Sequence, residues 1–516
     1  MLNSITPSKT LQLLIAITVS ILITGYLRLQ LFSGMPETDG GLNTFAAQFY
    51  YNNLINGEVL KGMMPLHLYP FLTSWVYGFE VNQFVLLRLI DGLVAIVASI
   101  ILFKVILKES GSTLFTVILM TALLIIMNDI EIIALGYRNS IWAAFIPLFS
   151  ALLIWQNSNK EDKYSFYLIG GLVSLGILLR EPFLPFFIFA GIAILISYGW
   201  RVLFKYLIGS AVVGFSLLGL ILMLRGWDLI SLINSYIQYG AEYVGVMDET
   251  PWAIVIKANW FIFVASFLSI FYLIKLYCTD KKLVNIRRGC FWLVLALIPL
   301  IEYNIKMGLP YHITNCLIGL VGLTSMGWNH VVNQESNQIK KSIILVIGLL
   351  SLLVILTVID KLNLHQEQSS PADAVEWVMD PLSFRSLNMV RDSQYIKVAA
   401  KVYSLSREDS TLVVSGFWQT LYPLTELLPQ RYELSSLRGA YINVGFDESK
   451  LMKIISKYRP SLIVTSTKPM TGEAALPNII EKTNLYNKVA FVPNDPNLDK
   501  NGGGPGGAII YRLKDF

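Results

Sequence analysis

The sequence predicts an α-helical polytopic membrane protein of about eleven transmembrane helices, followed by a C-terminal soluble α/β domain. Of its 516 residues 54% are hydrophobic and only 15% charged, with a mean hydropathy of +0.57, which is more apolar surface than one soluble core can hide. The apolar residues also fall into runs of membrane-spanning length. Beyond Asp360 that texture stops, and strand-like and helix-like segments alternate.

The spans are Leu11 to Leu27, Phe84 to Leu107, Thr113 to Met127, Ile141 to Trp155, Phe166 to Leu179, Phe183 to Gly199, Tyr206 to Leu224, Ala258 to Tyr277, Cys290 to Ile301, His312 to Trp328 and Ile343 to Ile359. A span needs ~20 predominantly apolar residues, so those at Thr113, Ile141, Phe166 and Cys290 are short. Basic residues set the orientation. With Lys9 on the cytoplasmic side, alternate connections hold Lys104 and Lys108, Lys160 and Lys163, Arg201 and Lys205, then Lys275 to Arg288, and finally Lys340 and Lys341. This positive-inside pattern puts a first loop, 32–82, on the outer side. An odd number of spans sends the tail outward as well. The expected division is therefore a transmembrane domain over 1–360 and an extracytoplasmic domain over 361–516. The first segment lacks an A-x-A site after Leu27 and reads as a retained anchor.

The tail justifies its class segment by segment. "STLVVSGFW" and "PSLIVTSTK" read as buried strands, "ESKLMKIISKYRP" and "ALPNIIEKTNLYN" as amphipathic helices, and "GGAIIYRL" as a last strand. "NGGGPGG", 501–507, lacks the following helix and the Lys-Ser/Thr ending of a phosphate loop and reads as a turn. Cys278, Cys290 and Cys316 lie in or beside spans, so they form no disulfide framework. His67, His312, His330 and His365 are too scattered for a metal cluster. No cofactor is implied; a divalent metal stays open, with no ligand set to name.

In the first loop a helix from Leu42 to Leu54 would align Phe45, Phe49 and either Asn52 or Asn53, with Thr38 or Asp39 as a cap before it. One reading is an amphipathic helix lying on the membrane surface, with "YYNN" as an interfacial belt. Several spans carry an arginine near their outer end: Arg28, Arg88, Arg138, Arg180 and Arg225. An arginine inside hydrocarbon costs at least ~2.5 kcal/mol on insertion scales, so each either snorkels to headgroups or meets an anion. "LLREPFLP" puts Arg180 and Glu181 between two apolar runs with almost no loop, where a carboxylate could steady a guanidinium fork that holds a phosphate. A carboxylate beside an arginine-lined outer face points to chemistry on a lipid-linked phosphate. The carboxylate would take a proton from an acceptor hydroxyl, which attacks the sugar carbon and expels lipid phosphate.

At this point the chain resembles the GT-C superfamily of integral-membrane glycosyltransferases that use polyprenyl-phosphate sugars, a group that includes the protein O-mannosyltransferases. The resemblance rests on "ETDGGLNTFAAQFYYNNLINGE", "MMPLHLYPFLTSW" and "FVLLRLIDGL", with "YRNSIW", "LLREPF" and "KMGLPYHI" as outer-edge motifs. It implies a catalytic carboxylate at Asp39, although the usual acidic pair is Glu37-Thr38-Asp39 here, which leaves the choice between Glu37 and Asp39 open. It implies a donor-phosphate site drawn from Arg88, Arg180, Lys61, Arg138 and His312. Lys61 stands upstream of Met64-Pro65 in place of the family's Lys-Pro-Pro. Glu181, Tyr311 and His67 are candidates for acceptor contact or support. The implied partners are a polyprenyl-phosphate sugar, a glycan or lipid acceptor and membrane lipids, with no nucleic acid, and the implied location is a bacterial inner membrane.

A first outer loop joined to an outer C-terminal domain is similar to the serotype-converting glucosyltransferases of O-antigen, which makes glucose and O-antigen the expected sugar and acceptor. A polysaccharide polymerase or a transporter of lipid-linked glycans would also have many spans and outer arginines. A transporter should show internal repeats or paired broken helices, and the sequence shows neither. A receptor leaves the arginines unexplained.

Overall fold

The computed structural model describes residues 8–30, 38–56, 68–79, 83–128, 139–158, 162, 164–224, 289–299, 316–334, 394–415, 418–431, 434–467, 473–494 and 506–516, with isolated helical positions between 229 and 274. The first helix, α1 (Lys9–Ser20), begins where Ser8 caps it, its hydroxyl accepting from the Leu11 amide at 3.2 Å. It continues without a break through a π-helical turn (Ile21–Gly25) into α2 (Tyr26–Gln30). The rod thus outruns the predicted end at Leu27 and carries Arg28 inside it.

Two helices follow in the first loop, α3 (Thr38–Asn56) and α4 (Leu68–Thr73), the second running into a 3-10 turn (Ser74–Gly78). The bundle then proceeds through α5 (Gln83–Ser110), α6 (Thr113–Met127), α7 (Asn139–Trp155), α8 (Ser165–Leu179), α9 (Leu184–Tyr198) and α10 (Trp200–Leu224). A further helix, α11, covers 289–299, and α12 spans Cys316–Gln334. Gly111, in the left-handed region at φ +65, ends α5, and Ser112 caps α6 at once, so these two helices form a tight antiparallel pair.

Among the described residues three helical stretches are long and apolar enough to cross a membrane: Lys9–Arg28, Leu89–Ser110 and Trp200–Leu224. Six shorter apolar ones accompany them. Leu184–Tyr198 and Cys316–Asn329 join the four expected to be short. The seventh predicted span is corrected at its start. Only Gly199 separates α9 from α10, so Arg201 and Lys205, read as a connection, lie in the first turns of α10. The span predicted at Ala258 to Tyr277 is described only at isolated positions, and Ile343 to Ile359 lies outside the described residues.

Helix α8 is the centre of the bundle, and small residues let it sit there. It meets α10 at Gly170 and Gly209, where the Ser210 hydroxyl donates to the Gly170 carbonyl at 3.1 Å. A Cβ on Gly209 would overlap the Tyr167 carbonyl, and one on Gly170 would overlap that of Tyr206. With no hydrophobic drive between helices in lipid, this backbone approach is what associates them. Gly209→Ala is expected to cost ~1–3 kcal/mol as an overpacked contact, read as a lowered unfolding temperature in nanodiscs, with Gly219→Ala, which has open space, as the unaffected control.

In the C-terminal part the described elements are α13 (Gln394–Leu405), β1 (Leu412–Val414), a 3-10 turn (Trp418–Thr420), α14 (Leu421–Thr425), α15 (Leu437–Asn443), α16 (Glu448–Tyr458), β2 (Leu462–Ser466), α17 (Leu476–Lys482), β3 (Tyr486–Val492) and β4 (Ala508–Leu513). The strands form one mixed sheet in the order β1-β2-β4-β3. β1 and β2 are parallel, with Leu412 opposite Leu462, and the other pairs are antiparallel. Alternation sorts the side chains. Val413, Ile463 and Tyr511 face α15, α16 and α17, whereas Leu412, Val414, Leu462, Val464 and Ile510 face α13 and α14. The two strands predicted to be buried, β1 and β2, are buried throughout, in keeping with the apolar Leu412–Val414 and Leu462–Val464 at their cores. The segment read as one helix, "ALPNIIEKTNLYN", ends its helix at Lys482 and enters β3 at Tyr486. Of 501–507 only Gly506 and Gly507 lie among the described residues, on the connection between antiparallel β3 and β4.

Helix α3 is not a membrane-surface helix. Its apolar face is covered by the C-terminal part: Phe45, Ala46, Phe49 and Tyr50 share one buried cluster with Val398, Val402, Leu412, Val414, Trp418, Leu421 and Tyr422. The Phe45 and Tyr422 rings lie 4.3 Å apart between centroids. Tyr50 of "YYNN" meets Phe71 of α4 edge-on at 5.6 Å and Tyr51 lies near Tyr77, so both rings are engaged by protein. Of the two asparagines it is Asn53 that turns inward, and its amide donates to the Phe49 carbonyl at 2.7 Å.

Candidate functional site

One end of the bundle gathers the ends of α2, α6 and α8 and the starts of α5, α7 and α9, with α4 laid across it. α4 touches α3, α7 and α8, and Phe71 packs against both the bundle core and the cluster that holds α3. Polar side chains are buried under it, where each needs a partner.

Arg28 is 3% exposed. Its Nε donates to the Asn128 side-chain oxygen at 2.9 Å, and its guanidinium carbon lies 5.6 Å from the centre of the Trp142 ring. Asn128 ends α6, and its own amide donates back to the Leu124 carbonyl at 2.7 Å, which fixes which way its oxygen faces. Snorkelling therefore does not describe Arg28: the side chain is turned into the bundle and bound there.

Asp91, on α5, is 2% exposed and accepts a hydrogen bond from the Tyr69 hydroxyl of α4. Burial first, then the neighbouring Asp91 carboxylate, pushes the Tyr69 hydroxyl well above the ordinary tyrosine value, and the positive charge of Arg28 opposes that only in part. The phenol accordingly keeps its proton and acts as the donor. Thr73 closes α4 by donating to the Tyr69 carbonyl at 3.0 Å. Deeper along the same seam Ser99 donates to Ala95 at 2.7 Å and meets Thr24 at 3.4 Å, which joins the π-helical turn to α5.

The residues expected from sequence divide by location. Asp39 lies in the first turn of α3, which begins at Thr38, and not before the helix as a cap. Arg88 lies on α5 one turn before Asp91, a spacing that puts the two residues on one face. Arg180 ends α8 in extended backbone, its amide donating to Gly176 at 3.0 Å, and Glu181 opens the 3-10 turn (Glu181–Phe183) that leads to α9. The bundle thus brings Arg88 and Arg180 to the same end. Glu37, Lys61, His67, Arg138, Tyr311 and His312 lie outside the described residues. Among the described residues no group of three or more His, Cys, Asp and Glu could hold a metal ion.

Sequence reasoning missed Asp91, Tyr69, Asn128 and Trp142. Asp91 had a signal, as the one carboxylate in "FVLLRLIDGLVAIVASIILF", since an ionisable residue inside an apolar run is a functional candidate by default. Tyr69 and Asn128 had none, because each acquires its meaning from a partner on another helix.

No protein-family model and no curated protein matches the chain. Among solved structures it is similar to ArnT from Cupriavidus metallidurans in the apo state, with a TM-score of 0.53 and 11% sequence identity, over 96% of this chain and 98% of that one. Over almost its whole length, therefore, this chain shares the fold of that structure, a likeness carried by architecture and not by sequence.

Proposed function

We propose that the protein is an inverting membrane glycosyltransferase that moves a sugar from a polyprenyl-phosphate donor to a glycan or lipid acceptor on the outer face of a bacterial inner membrane. What supports this reading is an ArnT-like fold whose α5 start, carrying Arg88, and α8 end, before Arg180, lie at the end of the bundle with the first-loop helices. The carboxylate of Asp39, or of Glu37, accepts the proton of the acceptor hydroxyl. The hydroxyl oxygen bonds to the anomeric carbon from the face opposite the phosphate, and the carbon–phosphate oxygen bond breaks, leaving polyprenyl phosphate. Arg88 and Arg180, with Lys61, Arg138 and His312, hold the phosphate and its growing charge. Glu181, Tyr311 and His67 support the clamp or the acceptor. Because phosphate leaves readily, one base and one clamp suffice.

The same reading takes eleven spans over 1–360, a cytoplasmic N-terminus and a periplasmic domain over 361–516. It is supported by the cluster that joins α3 of the first loop to the C-terminal sheet, since packed elements must lie on one side of a membrane. Glucose and O-antigen are the sugar and acceptor we favour.

The test is mass spectrometry of surface polysaccharide and lipid A from cells with and without the gene. A hexose gained on the polysaccharide repeat unit is the expected result, and unchanged glycans overturn the reading. In nanodiscs, free polyprenyl phosphate should compete with donor. Arg180→Lys should weaken donor use ~10-fold or more, because an ammonium keeps the charge and loses the two-pronged geometry. Full activity of that variant would leave Arg180 an anchor at the end of its helix.

A further inference from the structure

We propose that the Tyr69–Asp91 hydrogen bond is a latch that holds α4 against α5, and that these two are positioning residues for the donor-phosphate site because α4 sets the separation of the helices bearing Arg88 and Arg180. The functional part rests on the glycosyltransferase reading above.

The two partners belong to elements of different character. Asp91 is fixed on a long span, whereas Tyr69 sits at the start of a short helix, α4, in the first loop. Two turns of helix do not hold themselves in place, so tertiary contacts must place α4. Among the described residues the helix itself otherwise makes apolar contacts, Leu68 and Tyr69 in the bundle core and Phe71 between that core and the α3 cluster, while Tyr77 of the following 3-10 turn donates to the Thr44 carbonyl of α3 at 3.0 Å. The hydrogen bond to Asp91 supplies the direction. It is buried at both ends, where a charged acceptor is worth most and where losing it is felt most.

What α4 touches gives the bond its consequence. Besides α5 it packs on α7 and on α8, whose last residue precedes Arg180. A wedge between the start of α5 and the end of α8 spaces the two arms of the clamp. A phosphate bound by both arms is sensitive to that spacing, because displacements near an ångström disturb a multi-point contact. Arg28 completes the arrangement from the other side. It is tied to Asn128 and stacked on Trp142, and its charge reaches the Tyr69 hydroxyl, so the phenol and Asp91 sit in a fixed field.

The experiment uses the full chain in nanodiscs, with a short-chain polyprenyl phosphate as the binding probe and hydrogen exchange of residues 68–79 as a readout that needs no turnover. Tyr69→Phe removes the donor and keeps the ring. It is expected to raise exchange over 68–79 several-fold and to weaken probe binding ~10-fold, the loss of one hydrogen bond to a charged group. In transfer assays KM for donor should rise correspondingly, with kcat within about threefold. Asp91→Asn keeps an oxygen acceptor but loses its charge, so it should fall between the wild type and Tyr69→Phe. The double variant Tyr69→Phe/Asp91→Leu leaves neither end of this hydrogen bond unpaired, so it serves where a single variant does not fold, and it should still bind the probe weakly.

Wild-type probe binding in a folded Tyr69→Phe or double variant overturns the proposal, whatever exchange does. Weakened binding in Asp91→Asn equal to that in Tyr69→Phe also overturns it, since the charge and not the latch would then be what matters. If the wild type does not bind polyprenyl phosphate, the glycosyltransferase reading fails. Exchange over 68–79 then decides the latch alone, and no change in Tyr69→Phe overturns it.

Discussion

Asp39→Asn is expected to leave the protein folded and in the membrane while lowering sugar transfer ~100-fold or more, the usual effect of removing a positioned general base. The substitution is nearly isosteric and takes away only the ability to accept a proton. Asp39 belongs to the first turn of α3, and α3 is held along its length by Phe45, Phe49 and Tyr50 against the C-terminal sheet and its helices. The variant should bind donor as the wild type does, so the loss should fall on kcat. Glu37→Gln is the paired measurement. Full activity of Asp39→Asn with a dead Glu37→Gln moves the role two residues upstream, and activity in both removes the mechanism.

The second large effect belongs to the seam between α3 and the C-terminal part. Phe45 is fully buried and lies 4.3 Å from the Tyr422 ring, so Phe45→Ala should cost ~3–5 kcal/mol through lost burial and the cavity left behind. Thermal unfolding in nanodiscs measures that directly. Because the same side chain joins α3 to the tail, hydrogen exchange should rise over both 38–56 and 418–425. Transfer should fall with it even under conditions where the variant remains folded. Tyr422→Phe is the control. It keeps the ring stack but loses the hydroxyl, which donates to the Ser435 carbonyl at 2.7 Å and accepts from the Val414 amide at 3.2 Å. It should loosen the C-terminal part without releasing α3. A stable Phe45→Ala variant with unchanged exchange over 38–56 would mean that α3 is placed by the bundle alone.

Local pattern determined much of this protein from sequence alone. The hydrophobic runs give the described helices of the bundle, with ends off by up to about six residues, because an apolar segment in lipid must satisfy its backbone internally, which a helix does within one segment. The helix α6 (Thr113–Met127) was legible to the residue, since Ser112 caps its start and the apolar run stops at Asn128. Unbroken apolar runs likewise identified β1 and β2. β3 was not legible. It is an edge strand of mixed burial, and its identity as a strand comes from pairing with β4.

The arrangement at the candidate site was decided by tertiary structure. An arginine near a span end reads the same whether it snorkels or turns inward, and only Asn128 and Trp142, from two other helices, made Arg28 a buried group. An acid in a span signals importance without naming its partner, and Tyr69 became that partner when α4 folded over the end of α5. The amphipathic face of α3 was visible in the spacing of Phe45 and Phe49, but a membrane surface and a protein surface demand the same spacing. Which of them covers that face depends on Trp418 and Tyr422, at the far end of the chain, and no local pattern carries contacts of that sequence separation.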